Sequence, residues 1–193
     1  MARTKQFKEE ETLLKAVDLF WKKGFHATSM QDLVDGLGIS RSSLYDTYGG
    51  KDELFAKAFS KYRESAGTNM KQHLAEFTSV KEGLLKLFEK NIDGTLNDPD
   101  AKGCFVVNVT TELVPSDKAL KEVVFENRRA SEELFLSYLQ KGVETGEIPK
   151  EKDLPSIASM LFTLNNGLQV VAKTKPSKEE LMNMVKVALQ VLD

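Results

Sequence analysis

Residues 28–55 read TSMQDLVDGLGISRSSLYDTYGGKDELF. Thr28 and Ser29 are helix N-cap residues by type, because their hydroxyls satisfy amides left free in a first turn. Met30, Leu33, Val34 and Leu37 then recur at helical spacing and define one apolar face. Gly38 stops that helix, and Ser40 caps a third short helix carrying Leu44 and Tyr48. With Leu33, Leu37, Ile39 and Leu44 as inward anchors, two short helices meeting at a glycine turn predict a helix-turn-helix. In that motif the second helix enters the major groove of DNA.

The composition of the second helix fits such a use. A groove about 12 Å wide favours small side chains at the leading edge, so that the backbone can approach. Ser40, Ser42 and Ser43 are small hydroxyl donors, and Arg41 is a long cation suited to guanine or phosphate. Of Tyr45 and Tyr48, one is expected to reach phosphate and the other to pack inward. Lys51 follows Gly49-Gly50 at a helix start, where its charge and the free amides suit one phosphate. Thr28, Ser29, Ser40, Arg41, Ser42, Ser43, Tyr45, Thr47, Tyr48 and Lys51 are therefore the expected DNA-binding residues. Asp46 puts an acid on the same helix; it can accept from a cytosine amino group or stay solvated and turned away. Arg3, Lys5 and Lys8 suit either a basic arm or a solvated tail.

Working outward, the pattern stays helical. Leu13, Ala16, Val17 and Phe20 stripe a first helix at about 8–23, closed by Gly24. A fourth starts at Lys51 with Asp52 and Glu53 in its first turn, where the helix dipole favours acids. Further helices are expected at about 79–95, 102–114, 117–145, 153–173 and 177–192, broken at Asn97-Asp98-Pro99, Pro115, Gly146 to Pro149 and Pro176. The β-branched run Val106, Val107, Val109, Thr110 and Thr111 is the one local strand candidate, and it fits a buried helix equally well. The expectation is an all-α chain of about nine helices. A DNA-binding domain over 1–50, with a connecting helix from about 51, precedes a larger helical domain over 51–193. The helix near 153–173 is apolar on more than one side, so it needs a partner beyond its own domain, and a second copy is the usual one.

Composition sets limits. The net charge of −2 does not by itself indicate a nucleic-acid partner, and residues 1–60 hold nine basic and nine acidic side chains. Binding must then come from local clustering. No apolar run approaches the roughly 20 residues of a membrane span. The start MARTKQFKEEET lacks the apolar core of a secretory signal, which makes the cytoplasm the expected compartment. A single cysteine, Cys104, excludes an internal disulfide.

The ordered set Thr28-Ser29, Gly38-Ile39-Ser40, Leu44-Tyr45, Tyr48 and Lys51…Leu54-Phe55 resembles the DNA-binding module of the TetR family of bacterial transcriptional regulators. The resemblance covers about residues 8–60. Val34, Leu37, Asp46 and Gly49-Gly50 depart from its commoner residues. It implies a homodimer on a palindromic double-stranded operator, with two antiparallel helices per subunit in a four-helix interface. The segments near 117–145 and 153–173 match those helices. It also implies a small-molecule effector in the larger domain, whose binding changes the spacing of the two recognition helices, with repression as the majority habit. No cofactor, metal or membrane partner is implied.

Residues 103–113, GCFVVNVTTEL, resemble the pocket-wall helix of a subgroup that includes electrophile- and oxidant-responsive repressors. Cys104 near that helix start suits a dipole-activated sensor thiol, with Lys102 close by; it equally suits a small packed hydrophobe. Cys104, Phe105, Asn108, Glu112, Asn127, Phe162 and Asn166 are the candidate effector-binding residues. Asn165 and Gln169 are further polar residues in apolar stretches, fit for a ligand or for structural hydrogen bonds. His26 and His73 lack metal-ligand spacing, and Met160, Met182 and Met184 read as core. The chain has no H-E-x-x-H, G-x-S-x-G or phosphate-binding glycine loop, so an enzyme is not expected. The rival reading is a helical adaptor that binds only protein.

Overall fold

The computed structural model describes residues 7–193. Its described residues form nine α-helices and two short 3-10 turns, with no strand. They are α1 (Glu9–Lys23), α2 (Met30–Leu37), α3 (Arg41–Tyr48), α4 (Lys51–Ala75), α5 (Val80–Leu96), α6 (Phe105–Glu112), α7 (Lys118–Glu144), α8 (Leu154–Val171) and α9 (Lys178–Leu189). Arg3 and Lys5 lie outside the described residues.

Two compact units divide the chain, residues 1–65 and 66–193. The first therefore runs beyond the boundary expected after residue 50. The reason is aromatic: Phe55 of α4 meets Phe20 edge-on at 5.3 Å and Phe25 at 4.9 Å, and Trp21 meets Tyr62 at 4.9 Å. Leu54, Ala58 and Phe59 are also buried, so the first turns of α4 complete the core that α1, α2 and α3 begin. Ala16, Phe20, Leu33, Leu37 and Leu44 supply the rest of it.

The α2–α3 turn depends on Gly38, which sits in the left-handed region at φ 67° and donates its amide to the Val34 carbonyl. A Cβ there meets nothing within 4 Å, so an alanine would lose about 1 kcal/mol to backbone conformation and not to crowding.

In the second unit α5, α7, α8 and α9 surround a core of Leu84, Phe88, Phe135, Leu139, Leu161, Leu181 and Val185. The β-branched run resolves as helix α6, shorter than the expected 102–114. The Asp98 carboxylate takes the amides of Asp100 and Lys102 and holds residues 98–102 in a loop. On α9 the core face is Leu181, Met182, Val185 and Leu189, which leaves Met184 and Val187 exposed. Met184 is thus not a core residue, because it falls to the side of the face that Leu181, Met182, Val185 and Leu189 bury. Asn165 and Gln169 are structural hydrogen-bonders: Asn91 donates to Asn165 at 2.9 Å and Thr95 to Gln169 at 2.5 Å, pairing α5 with α8.

One acid ties the α7–α8 connection to the start of α5. The Glu147 carboxylate accepts from the Ser79 hydroxyl at 2.6 Å and from the amides of Val80 and Lys81 at 2.7 and 2.9 Å. Burial raises its pKa, but the hydrogen bonds from Ser79, Lys81 and Val80 outweigh that and hold the group below its ordinary value of 4.5. A depressed native pKa stabilises the fold above the unfolded-state value, and that contribution fades as pH falls through the native one. Glu147→Gln is expected to cost about 1–2 kcal/mol at neutral pH. It should also flatten the acid limb of stability below about pH 4.5, read by urea unfolding across a pH series.

Candidate nucleic-acid interface and effector region

Helix α3 is built to be held from one side. Its N-cap is Ser40, whose Oγ accepts the Ser43 amide at 3.1 Å and lies 2.9 Å from the hydroxyls of both Ser42 and Ser43. Leu44 and Tyr48 are buried beneath it, while Arg41, Ser42, Tyr45 and Asp46 are exposed. Ser43 and Thr47 are half-buried on the flanks. The two tyrosines have opposite fates. Tyr45 is 47% exposed, whereas Tyr48 is 5% exposed and donates its hydroxyl to the Glu9 carbonyl at 3.0 Å. Burial raises the Tyr48 phenol pKa, the Glu9 charge adds to that, and the Thr12 hydroxyl works against it.

Two expected contact residues are therefore corrected. Tyr48 is an internal strut between α3 and the first turn of α1, where the N-cap residue Lys8 offers no side-chain cap. Thr28 is fully buried and donates to the Gly24 carbonyl at 2.6 Å, so its hydroxyl is spent on the α1–α2 connection. Ser29 stays exposed but forms a reciprocal cap with Asp32, whose amide it accepts at 3.0 Å while giving its own to Asp32 Oδ2 at 2.8 Å. Lys23 closes on the same carboxylate at 2.6 Å. The Lys23 hydrogen bond first, then those from Ser29, hold Asp32 far below the usual carboxylate range. Sequence spacing missed this Lys23–Asp32 pair, because it joins two helices.

Arg41 makes no hydrogen bond or ion pair among the described residues and stands free at the α3 start. Lys51 lies 4.3 Å above the Phe25 ring in the first turn of α4. Its stem is thereby fixed while its ammonium keeps donors for a further partner. An exposed row of hydroxyls and cations on a short helix, backed by a rigid apolar floor, can accept a phosphate backbone and base edges.

In the second unit Cys104 is the N-cap of α6, partly exposed, with no side-chain cap hydrogen bond. Phe105 is buried. Asn108 donates to the Lys102 carbonyl at 2.9 Å and accepts from Lys173 at 2.7 Å. Lys173 was invisible in one dimension, since it lies beyond α8. Its stem crosses Gly103 so closely that a Cβ there would sit 2.5 Å from its Cε. Lys102 points to Asp98 at 3.8 Å. Glu112 and Asn127 are half-buried, as is Asn166, and Phe162 packs against the core. The hydrogen bonds thus gather residues 102–108 with Lys173, and do not join Asn127 or Asn166 to them.

A helix-turn-helix head with one bare polar face, followed by a separate helical unit, defines a DNA-binding transcriptional regulator. The profile of bacterial regulatory proteins, tetR family, matches residues 13–58, and that of the tetracyclin repressor-like C-terminal domain matches residues 80–187. The chain belongs to the TetR family. It is 34% identical over 195 aligned residues, covering both chains fully, to the uncharacterized HTH-type transcriptional regulator YezE of Bacillus subtilis. It is 28% identical to the HTH-type transcriptional repressor ComR of Escherichia coli, over 98% of this chain and 90% of that one. Among solved structures, a cysteine mutant of the TetR family regulator CifR, complexed with 26bp double-strand operator DNA, superposes with a TM-score of 0.88 at 26% identity, covering both chains fully.

The split between the tyrosines can be measured. Tyr48→Phe is expected to lose about 0.5–1.5 kcal/mol of stability, seen as a lower urea midpoint. Tyr45→Phe should leave that midpoint unchanged and weaken DNA binding.

Proposed function

We propose that the chain is a cytoplasmic, non-enzymatic repressor that binds a palindromic operator as a homodimer and leaves it when an effector occupies the second unit. The observation that carries this is the exposed face of α3, where Arg41, Ser42 and Tyr45 stand over buried Leu44 and Tyr48. The repressor sense is supported by ComR, and an operator duplex as ligand by CifR.

Pairing through α7 and α8 is supported by what those helices leave uncovered. Phe125 on α7 and Val170 on α8 are each 49% exposed, and Val171 is 39% exposed. Exposed apolar side chains on these two helices suit a covering partner. A second copy covers them by isologous contact, and two heads then read two half-sites one helical turn or a multiple apart.

Effector action is a difference in affinity between two conformers of the pair, since a ligand that binds both equally shifts nothing. Cys104 is the candidate for a covalent electrophile, being the partly exposed N-cap residue of α6.

Two experiments test the reading. In a mobility-shift assay with the DNA beside its own gene, Arg41→Ala should weaken specific binding about tenfold or more and lower the salt slope by about one. Equal affinity and slope in wild type and variant would remove Arg41 from the groove. For the effector, a quinone is expected to release wild-type protein from DNA and to spare Cys104→Ser. Release with an unmodified thiol, checked by mass spectrometry, assigns a non-covalent ligand instead.

A further inference from the structure

Asp46 is unexplained by the head's own fold. Helix α3 has eight residues, and its exposed positions fall in two neighbouring rows. Arg41 and Tyr45 form one row, four residues apart. Ser42, Asp46 and the C-cap residue Gly49 form the other, again at one-turn spacing. Asp46 is thus central to the bare face and not turned to its flank, where Ser43 and Thr47 lie half-buried. Its row-mates are small, which suits close approach by a short carboxylate.

Nothing among the described residues accounts for an acid there. Asp46 makes no hydrogen bond or ion pair among the described residues. Arg41, five residues earlier, is not in the four-residue register that would pair with it. The contrast is Asp32, whose oxygens are fully engaged by Lys23 and Ser29. Asp46 also lies in the last turn of α3, where the helix dipole disfavours a negative charge. On a surface that meets a polyanion, a carboxylate loses hydration and is repelled by phosphates. Only a donor on the nucleic acid offsets both.

The major groove presents two such donors, the amino groups of cytosine and adenine. Adenine pairs its donor with the N7 acceptor on the same edge. That arrangement suits an amide, whereas a carboxylate is repelled by N7. Guanine O6 and N7 and thymine O4 are acceptors and repel a carboxylate outright. Cytosine is the base whose own edge offers only a donor.

We propose that Asp46 is a specificity-determining residue of the DNA interface, accepting a hydrogen bond from the N4 amino group of one cytosine in each half-site and penalising every base that presents an acceptor there. This rests on the groove reading of α3 given above. Asp46 gives little affinity, since its charge opposes binding in general. Its contribution is the difference between the right base and the wrong ones.

The test is selection from duplexes with randomised half-sites, using full-length wild type, Asp46→Asn and Asp46→Ala. Thermal unfolding confirms folding, and no loss of stability is expected, since the charge removed is disfavoured by the helix dipole. Wild type should enrich one position for cytosine tenfold or more over each other base. Asp46→Ala should level that position and leave the others intact. Asp46→Asn should move it toward adenine, whose N6 and N7 suit an amide. Both variants should bind unrelated duplex several-fold more tightly at low salt, a rise that a merely structural residue would not produce. If wild type enriches a half-site that Asp46→Ala retains at every position, this proposal falls alone. If wild type enriches no half-site at all, the groove reading beneath it falls as well.

Discussion

An eight-residue helix cannot hold itself in water. Isolated helices below roughly 12–15 residues are marginal even in favourable sequences. Helix α3 has that handicap and a second one, since a helix meant for a groove must keep one face empty. Everything that fixes it must then come from the other face and from its ends. Leu44 and Tyr48 bury that face, Ser40 caps the start, and the left-handed turn at Gly38 sets its angle to α2. The aromatic group of Phe20, Phe25, Phe55 and Phe59 belongs to the same arrangement, because it makes the floor stiff enough for α3 to lean on. A loose floor would let the exposed row wander, and base recognition tolerates little misplacement.

The second unit solves a related problem with different chemistry. Its helix starts are capped by side chains from within their own segment: Ser79 on α5, Asp117 on α7, Asp153 on α8 and Ser177 on α9. Start α6 is the exception, with Cys104 at the N-cap and no side-chain cap. The polar bonds Asn91–Asn165 and Thr95–Gln169 lie between α5 and α8, half-buried, where an unmade bond would be costly. They fix the register of those two helices more sharply than apolar contact does. On α6 the Asn108 side chain reaches Lys102 on one side and Lys173 on the other.

What was legible in the sequence follows from the range of each interaction. Helix limits were readable within a few residues because caps and breakers act over three or four positions, as at Ser40 and Gly38. The α6 start was not, because Asp98 takes two amides downstream and holds back the helix. The role of Tyr48 was half-legible: its spacing from Leu44 points inward, but its hydrogen bond to Glu9 crosses thirty-nine positions of chain. Thr28 looked like a cap by type, whereas Ser29 beside it performs the capping and Thr28 is buried. Lys173, Asn91 and the Lys23–Asp32 pair were beyond reach, since each owes its role to a helix packed from elsewhere in the chain.

Charge gives the head a particular character. Residues 1–60 carry equal numbers of acids and bases, and the Lys23 charge is already spent on Asp32. Arg41 is the foremost free cation among the described residues of the α3 face, which limits the sequence-independent attraction to phosphate that this face supplies. Weak general attraction is not a defect in a regulator. Discrimination is the ratio of specific to non-specific binding, and it improves when the second term is small. A head of this kind holds DNA firmly only when two copies bind together, because linkage turns the second contact into an intramolecular one. That gain disappears when the spacing of the two heads no longer matches the duplex. A modest intrinsic affinity therefore makes the proposed pair more sensitive to a change in spacing than a strongly basic head would be, since a basic head would stay bound through phosphates alone.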